Sequence, residues 1–309
     1  MDEERRPGLA EALIVWALFA VVALEVLVTY TRLSPADLYH VSGTGLEAGA
    51  SRVLVFLGYP FSIVVIPLAW IAAAQLRTRT AGIAASVATV FCASVGFPGV
   101  VDQADLDARP VNTLAGLGVA LALGLTVLAI AREGIGPARP FGRADLIRAV
   151  SAACLLLAGL PWIFAELGFY VSDVPLLGKI FLAKELKSST GAEPSAHAVH
   201  LGRHHGMDGV LFAISALVLS RVAGRMASRA QRIMLTAYLA LMLVYGLANA
   251  LQDFWFEQLV KRGTTSVTIP SLIRPAASWA WAAMIFVAAL ICLAALRVAR
   301  VVHPRGGAR

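Results

Sequence analysis

The chain has 309 residues, 59% of them apolar and 15% charged, with a mean hydropathy of +0.76 and a formal net charge of +7. A chain so long and so apolar is excluded from the soluble globular class and reads as an all-α, polytopic membrane helix bundle. The positive balance calls for no nucleic acid, because a basic face turned toward anionic lipid headgroups accounts for it.

Apolar runs long enough to cross a ~30 Å hydrocarbon core recur at about 9–30, 53–75, 81–100, 111–131, 147–171, 208–223, 232–252 and 275–297. Eight transmembrane helices are therefore predicted, within a single integral membrane domain covering 1–309. The first run is longer than the apolar region of a secretory signal and lacks a small-residue cleavage site, so it is expected to stay as a span. With the N-terminus inside, 16 of the 26 basic residues fall on the cytoplasmic side against five acidic ones, while the outer side holds ten basic and eleven acidic residues. The positive-inside rule then predicts N-in/C-in topology in the cell membrane.

Taken in chain order, polar residues inside or beside the spans mark the functional face. Span one carries Glu11 near its start and Glu25 near its outer end, and the first outer loop carries His40. Asp102 and Gln103 close the outer end of span three. In span five, Pro161 removes a backbone hydrogen bond, and Trp162, Glu166, Phe169 and Tyr170 follow at helical spacing on one face. The outer connection 173–207 begins with Val174–Lys187, whose apolar and lysine pattern suits either a short amphipathic helix on the membrane surface or a loop packed on the bundle. Span seven shows a polar stripe of Tyr245, Asn249, Gln252 and Asp253 in its outer half. Nearly every buried polar group except Glu11 is thus expected at the outer-leaflet level, as a polar cavity open to the extracytoplasmic side or as helix ends bonded to one another.

Between spans five and six, His197, His200, His204 and His205 fall within twelve residues that end at Asp208. Were 197–208 helical, His197, His200, His204 and Asp208 would lie within about 80° of arc, with His205 pointing away. Imidazoles at i and i+4 beside a carboxylate suit a divalent ion, zinc above all. Gly202, Gly206 and Gly209 favour instead a loop leading into the helix, with Asp208 as its N-cap and the glycines admitting close backbone approach. The candidate ligands are His197, His200, His204, His205 and His40; His303, on the basic tail, is expected to be uninvolved. Cys92, Cys154 and Cys292 fall inside spans and read as packing residues rather than redox groups.

The run His200-x-x-x-His204-His205 resembles one histidine box of membrane di-iron desaturases and hydroxylases, and its HxxxH spacing is similar to that of transmembrane zinc amidohydrolases such as alkaline ceramidases. Five outer histidines are too few for the several boxes of the former, and the other motifs of the latter are not recognisable. Neither resemblance supplies residues.

The expected function is a metal-dependent membrane enzyme, a hydrolase or transferase, acting on a lipid or isoprenoid substrate at the outer leaflet. In that reading the histidines hold the metal, Glu166 and Asp208 are the acid–base carboxylates, and Trp162, Tyr170, Tyr245, Asn249, Gln252 and Asp253 line the substrate cavity. A proton- or ion-coupled transporter using Glu25, Glu166 and Asp253 is the second reading, and a partner subunit of a membrane complex the third. Polar groups in the cytoplasmic half would favour transport, because alternating access needs both halves polar.

Overall fold

The computed structural model describes residues 6–33, 41–97, 99–100, 105–136, 140–167, 174–176, 186–187, 196–197, 205–261, 263–273 and 275–302. Among them are eight helices long and apolar enough to span a membrane: α1 (Ala10–Arg32), α2 (Leu46–Leu76), α3 (Arg79–Gly96), α4 (Pro110–Glu133), α5 (Arg143–Glu166), α6 (His205–Ala223), α7 (Arg229–Val260) and α8 (Trp279–Val302). A long apolar helix is present at each of the eight predicted runs. Helix α2 is longer than expected because Leu46–Phe56 continues past Arg52, the charge at which the apolar run was cut.

Local signals explain the helix boundaries. Thr78 caps α3 by accepting from Ala81 N at 3.1 Å. Ser228 and Gln231 form a capping box at the start of α7, each side chain bonding the other's backbone N–H. Pro110 opens α4 at a position where its missing N–H costs nothing. Two π-helical stretches interrupt the regular ladder, Leu57–Phe61 around Pro60 in α2 and Trp255–Val260 at the end of α7. Such bulges are frequent at functional sites, and both belong to the end of the bundle that carries His205.

Helices α2 and α6 form the centre, with 72% of each apolar window buried against 17% for α5 and α8. Helix α6 packs on α7 over the longest interface, α1 on α2 and α6, and α2 on α3 and α4, while α5 leans on α6 and α8 on α7. The α6–α7 contact is backbone on backbone: a Cβ at Gly209 would overlap Gly246 O and Ala250 N, and one at Gly246 would overlap Gly209 O. Small residues at such a crossing let helices associate without a hydrophobic driving force in lipid. Toward the middle of α1, Phe19 stacks on Phe61 with ring centroids 4.6 Å apart, and Trp16 meets Phe61 edge-on at 5.1 Å.

The described parts of the 173–207 connection favour the non-helical alternative where they can be compared. Leu186–Lys187 (β1) and Ala196–His197 (β2) are extended and pair antiparallel, Leu186 opposite His197 and Lys187 opposite Ala196. His197 is therefore strand and not the first residue of a helix over 197–208; the described helix runs from His205, and 198–204 lie outside the described residues. Of 174–187, for which either a surface helix or a packed loop was expected, Leu176 takes a left-handed φ of 68° and 186–187 are strand, while 177–185 lie outside the described residues. Two-residue strands are too short to leave a period-two pattern in sequence.

Candidate functional site

Helix α6 delivers its first turn into the space between α2, α5 and α7. Gly206 is the contact point: a Cβ there would overlap both the Trp162 indole of α5 and the Asp253 carboxylate of α7. The absence of a side chain is what brings these three elements together, as the glycine pattern suggested. Trp162 is 3% exposed and Glu166, one turn further along α5, is 4% exposed. Glu166 therefore faces the bundle and not its outer surface.

His205 and Asp208 lie three residues apart on this first turn and line one cavity. Their neighbours there include Arg52 and Tyr59 of α2, Asp105 and Asp107 of the α3–α4 connection, and Arg109 and Asn112 at the start of α4. The Tyr59 and His205 rings meet edge-on, centroids 6.4 Å apart. Arg109 is fixed by its own helix start: its backbone N–H donates to Asn112 Oδ1 at 2.8 Å, and its guanidinium donates to Val100 O at 2.9 Å. The enclosed space, about 20 Å³, takes one water-sized group. A whole substrate would meet this cavity only at its mouth.

On α7 the predicted polar stripe is present but partly committed. Tyr245 donates its hydroxyl to Ile273 O at 2.7 Å, so the 2.6 Å contact with Tyr59 has Tyr59 as donor. Gln252 donates to Pro270 O at 3.2 Å and accepts from Leu272 N at 2.8 Å. Trp255 adds a bond to Val267 O at 3.0 Å. These side chains hold the connection to α8 as a strap along α7. Asn249 donates to Tyr245 O at 2.8 Å, leaving its buried Oδ1 without a partner.

Unpartnered buried polar atoms gather at this end of the bundle: Arg52 Nε, Trp162 Nε1, Asn249 Oδ1 and both amide atoms of Gln258. Gln258 is only 2% exposed. A buried polar atom without a partner costs about 1–3 kcal/mol, and in native proteins it calls for a bound water, ion or ligand.

Of the residues expected at the site, the structure places Trp162, Glu166, His205, Asp208, Tyr245, Asn249, Gln252 and Asp253 at one end of the bundle. His205 shares the cavity with Asp208 instead of pointing away from it: the two stand at i and i+3, only about 60° apart on any α-helix that holds both, so the expected divergence overstated the angle. Asp208 is a buried first-turn residue, not the N-cap. His40, Tyr170, His200 and His204 lie outside the described residues, and His197 enters through its backbone in β2 alone. Among the described residues, no three His, Cys, Asp or Glu side chains converge closely enough to hold a metal. Sequence reasoning missed Tyr59, Arg52, Arg109 and Asn112; the signals available were the Tyr-Pro pair inside an apolar run and the Pro-x-Asn start of α4.

The opposite end corrects the expectation that only Glu11 is buried there. Asp145, 2% exposed, accepts from Gly142 N at 3.0 Å and from the Arg148 guanidinium at 2.8 Å, and lies 3.2 Å from Arg221 Nε. Arg221 also reaches Glu11 at 3.4 Å, and Arg148 donates to Ser220 Oγ at 2.7 Å. Nearby, Arg6 pairs with Glu133, and Gly8 N donates to Gln75 Oε1 at 3.2 Å. The starts of α1 and α5 and the end of α6 are thus tied by charge. Arg148 and Arg221, counted in the basic face toward lipid headgroups, fold back onto Asp145 and Glu11 at helix starts, where the helix dipole favours the carboxylates. Comparison of the chain with family models, with curated proteins and with solved structures gives no match.

Proposed function

We propose that this integral membrane protein is a metal-dependent enzyme acting on a lipid or isoprenoid substrate, with its site at the end of the bundle that carries His205. The observation carrying this reading is the concentration there of unpartnered buried polar atoms around an imidazole and a carboxylate, His205 and Asp208. In this reading His200 and His204, with His197, His205 or His40, hold one divalent ion, most simply zinc, which polarises a carbonyl or phosphoryl oxygen or activates water. Trp162 and Glu166 present an apolar wall and a proton-transfer group to the same first turn of α6. The apolar chain of the substrate lies along the membrane-facing surface beside α5 and α7.

Metal analysis tests the reading. Purified wild-type protein is expected to hold roughly one divalent ion per chain, and the His200→Ala/His204→Ala double variant to lose it while keeping the wild-type helical circular dichroism. Equal metal content in the two proteins rules out the site.

The same reading sets both termini in the cytoplasm and the histidine end outside, on the strength of the arginine distribution. In a background without Cys92, Cys154 and Cys292, single cysteines at 140 and 227 should resist an impermeant thiol reagent in intact cells, and one at 190 should react. Labelling at 227 without permeabilisation reverses the orientation. A transporter is the second reading, and the buried charges at the end of α6 favour it, because they supply polar groups in the half where Glu11 was the one buried polar residue expected. The enzyme ranks first because those charges satisfy one another at helix ends.

A further inference from the structure

From Arg52 we infer that the cavity at the start of α6 binds a phosphate group, so that the substrate or ligand of this site is a phosphate-bearing amphiphile. This inference rests on the reading of the histidine end as a substrate site. Arg52 sits two turns into α2, 6% exposed, with its guanidinium carbon 5.6 Å from the centre of the Tyr30 ring. A cation over an aromatic face is stabilised, but no carboxylate lies within ion-pair distance among the described residues, and Nε has no acceptor. A buried charge without a counter-ion is strongly disfavoured.

The acidic residues around the cavity do not supply the missing charge. Asp107 accepts from Ser42 N at 2.9 Å and lies 3.5 Å from Ser51 Oγ, so it is engaged in holding the connection before α2. Asp105 faces Arg109 at 4.0 Å and accepts from Asp107 N at 3.1 Å. Asp208 is itself partnered. Arg52 is left as the unmatched charge, with Arg109, whose Nε also lacks an acceptor, and His205 on the same cavity. The two guanidinium groups are donors without acceptor capacity, and their planar forks suit phosphate oxygens. The enclosed volume of about 20 Å³ admits one oxygen-sized group. A phosphate therefore inserts a single oxygen toward Arg52 and keeps the rest of its head at the mouth.

Lipid phosphate and free phosphate share this chemistry, and the test separates them. Purified full-length protein is titrated, with a chelator present, against inorganic phosphate and against phosphatidic acid in phosphatidylcholine nanodiscs. Wild type is expected to bind at least one of the two, Arg52→Gln to bind it at least tenfold more weakly, and Arg52→Lys to fall between. Because glutamine removes an unmatched charge, ligand-free Arg52→Gln should melt at or above the wild-type temperature, and its metal content should equal that of wild type. Binding of phosphatidic acid alone identifies the lipid as the source; binding of inorganic phosphate alone keeps the anion site but removes the lipid-substrate reading. Equal affinity of wild type and Arg52→Gln, failure of both probes to bind wild type, or a ligand-free Arg52→Gln that melts far below wild type overturns the inference. The chelator makes the outcome independent of the metal, so failure of the zinc site leaves this result standing or falling by itself.

Discussion

Glu166→Gln is expected to abolish function while leaving the fold intact. Glu166 ends α5, is 4% exposed, and lies one turn beyond Trp162, whose indole rests on Gly206 in the first turn of α6. A carboxyl in that position reaches the same end of the bundle as His205, Asp208 and Asp253. Glutamine keeps its volume and hydrogen-bonding reach but cannot exchange a proton near neutral pH. If Glu166 is the acid or base of the reaction, the loss is on the order of 10²–10⁴ in rate. If it serves only to bond neighbouring helices, glutamine substitutes, and the cost is about 1 kcal/mol of stability. Complementation of a strain lacking the protein, read beside the melting temperature of the purified variant, separates the two. A variant that complements fully and melts slightly lower than wild type removes Glu166 from the chemistry.

The parts of this architecture that were legible in the sequence are those that a bilayer imposes. A helix in hydrocarbon must be apolar for about 20 residues, so α1, α4 and α8 announce themselves within a few residues of their ends. The α6–α7 crossing was half legible: Gly206 and Gly209 signalled close approach, yet which backbone approaches, Gly246 and its neighbours, depends on tertiary packing. Span seven's stripe was correctly polar, but its principal partner is the strap of 265–273, an irregular segment with no periodicity to announce it. Arg52 was hidden for a physical reason. Hydropathy counts its charge against the span and reads it as loop, although a guanidinium over the Tyr30 ring is tolerated two turns inside a helix. The stripe of three histidines and Asp208 assumed one helical period across a segment that is strand at His197 and helix from His205, so its geometry did not carry over.

Asp145→Ala is expected to cost roughly 3 kcal/mol, the low end for breaking a buried ion pair, because Arg148 and Arg221 keep 26% and 20% of their side-chain surface exposed. Two hydrogen bonds, from the Gly142 backbone and Arg148, and an ion contact with Arg221 converge on this carboxylate. Alanine removes the helix-start bond and leaves Arg221 with Glu11 at 3.4 Å. Asp145→Asn separates the two contributions, since the amide oxygen still accepts from Gly142 N, a bond worth about 1 kcal/mol, while the charge is gone. Asparagine should therefore fall between alanine and wild type in thermal melting in detergent, and nearer to alanine if charge dominates. Equal melting of all three proteins would show that the cluster contributes nothing to stability. The same variants sort the two functional readings. If the ties among α1, α5 and α6 are only structural, Asp145→Asn destabilises without changing which residues a reagent can reach. If they close the cytoplasmic end of a transport route, their loss lets that end open, and a cysteine placed at Ser215, fully buried midway along α6, becomes reactive from the cytoplasmic side in the variant but not in wild type.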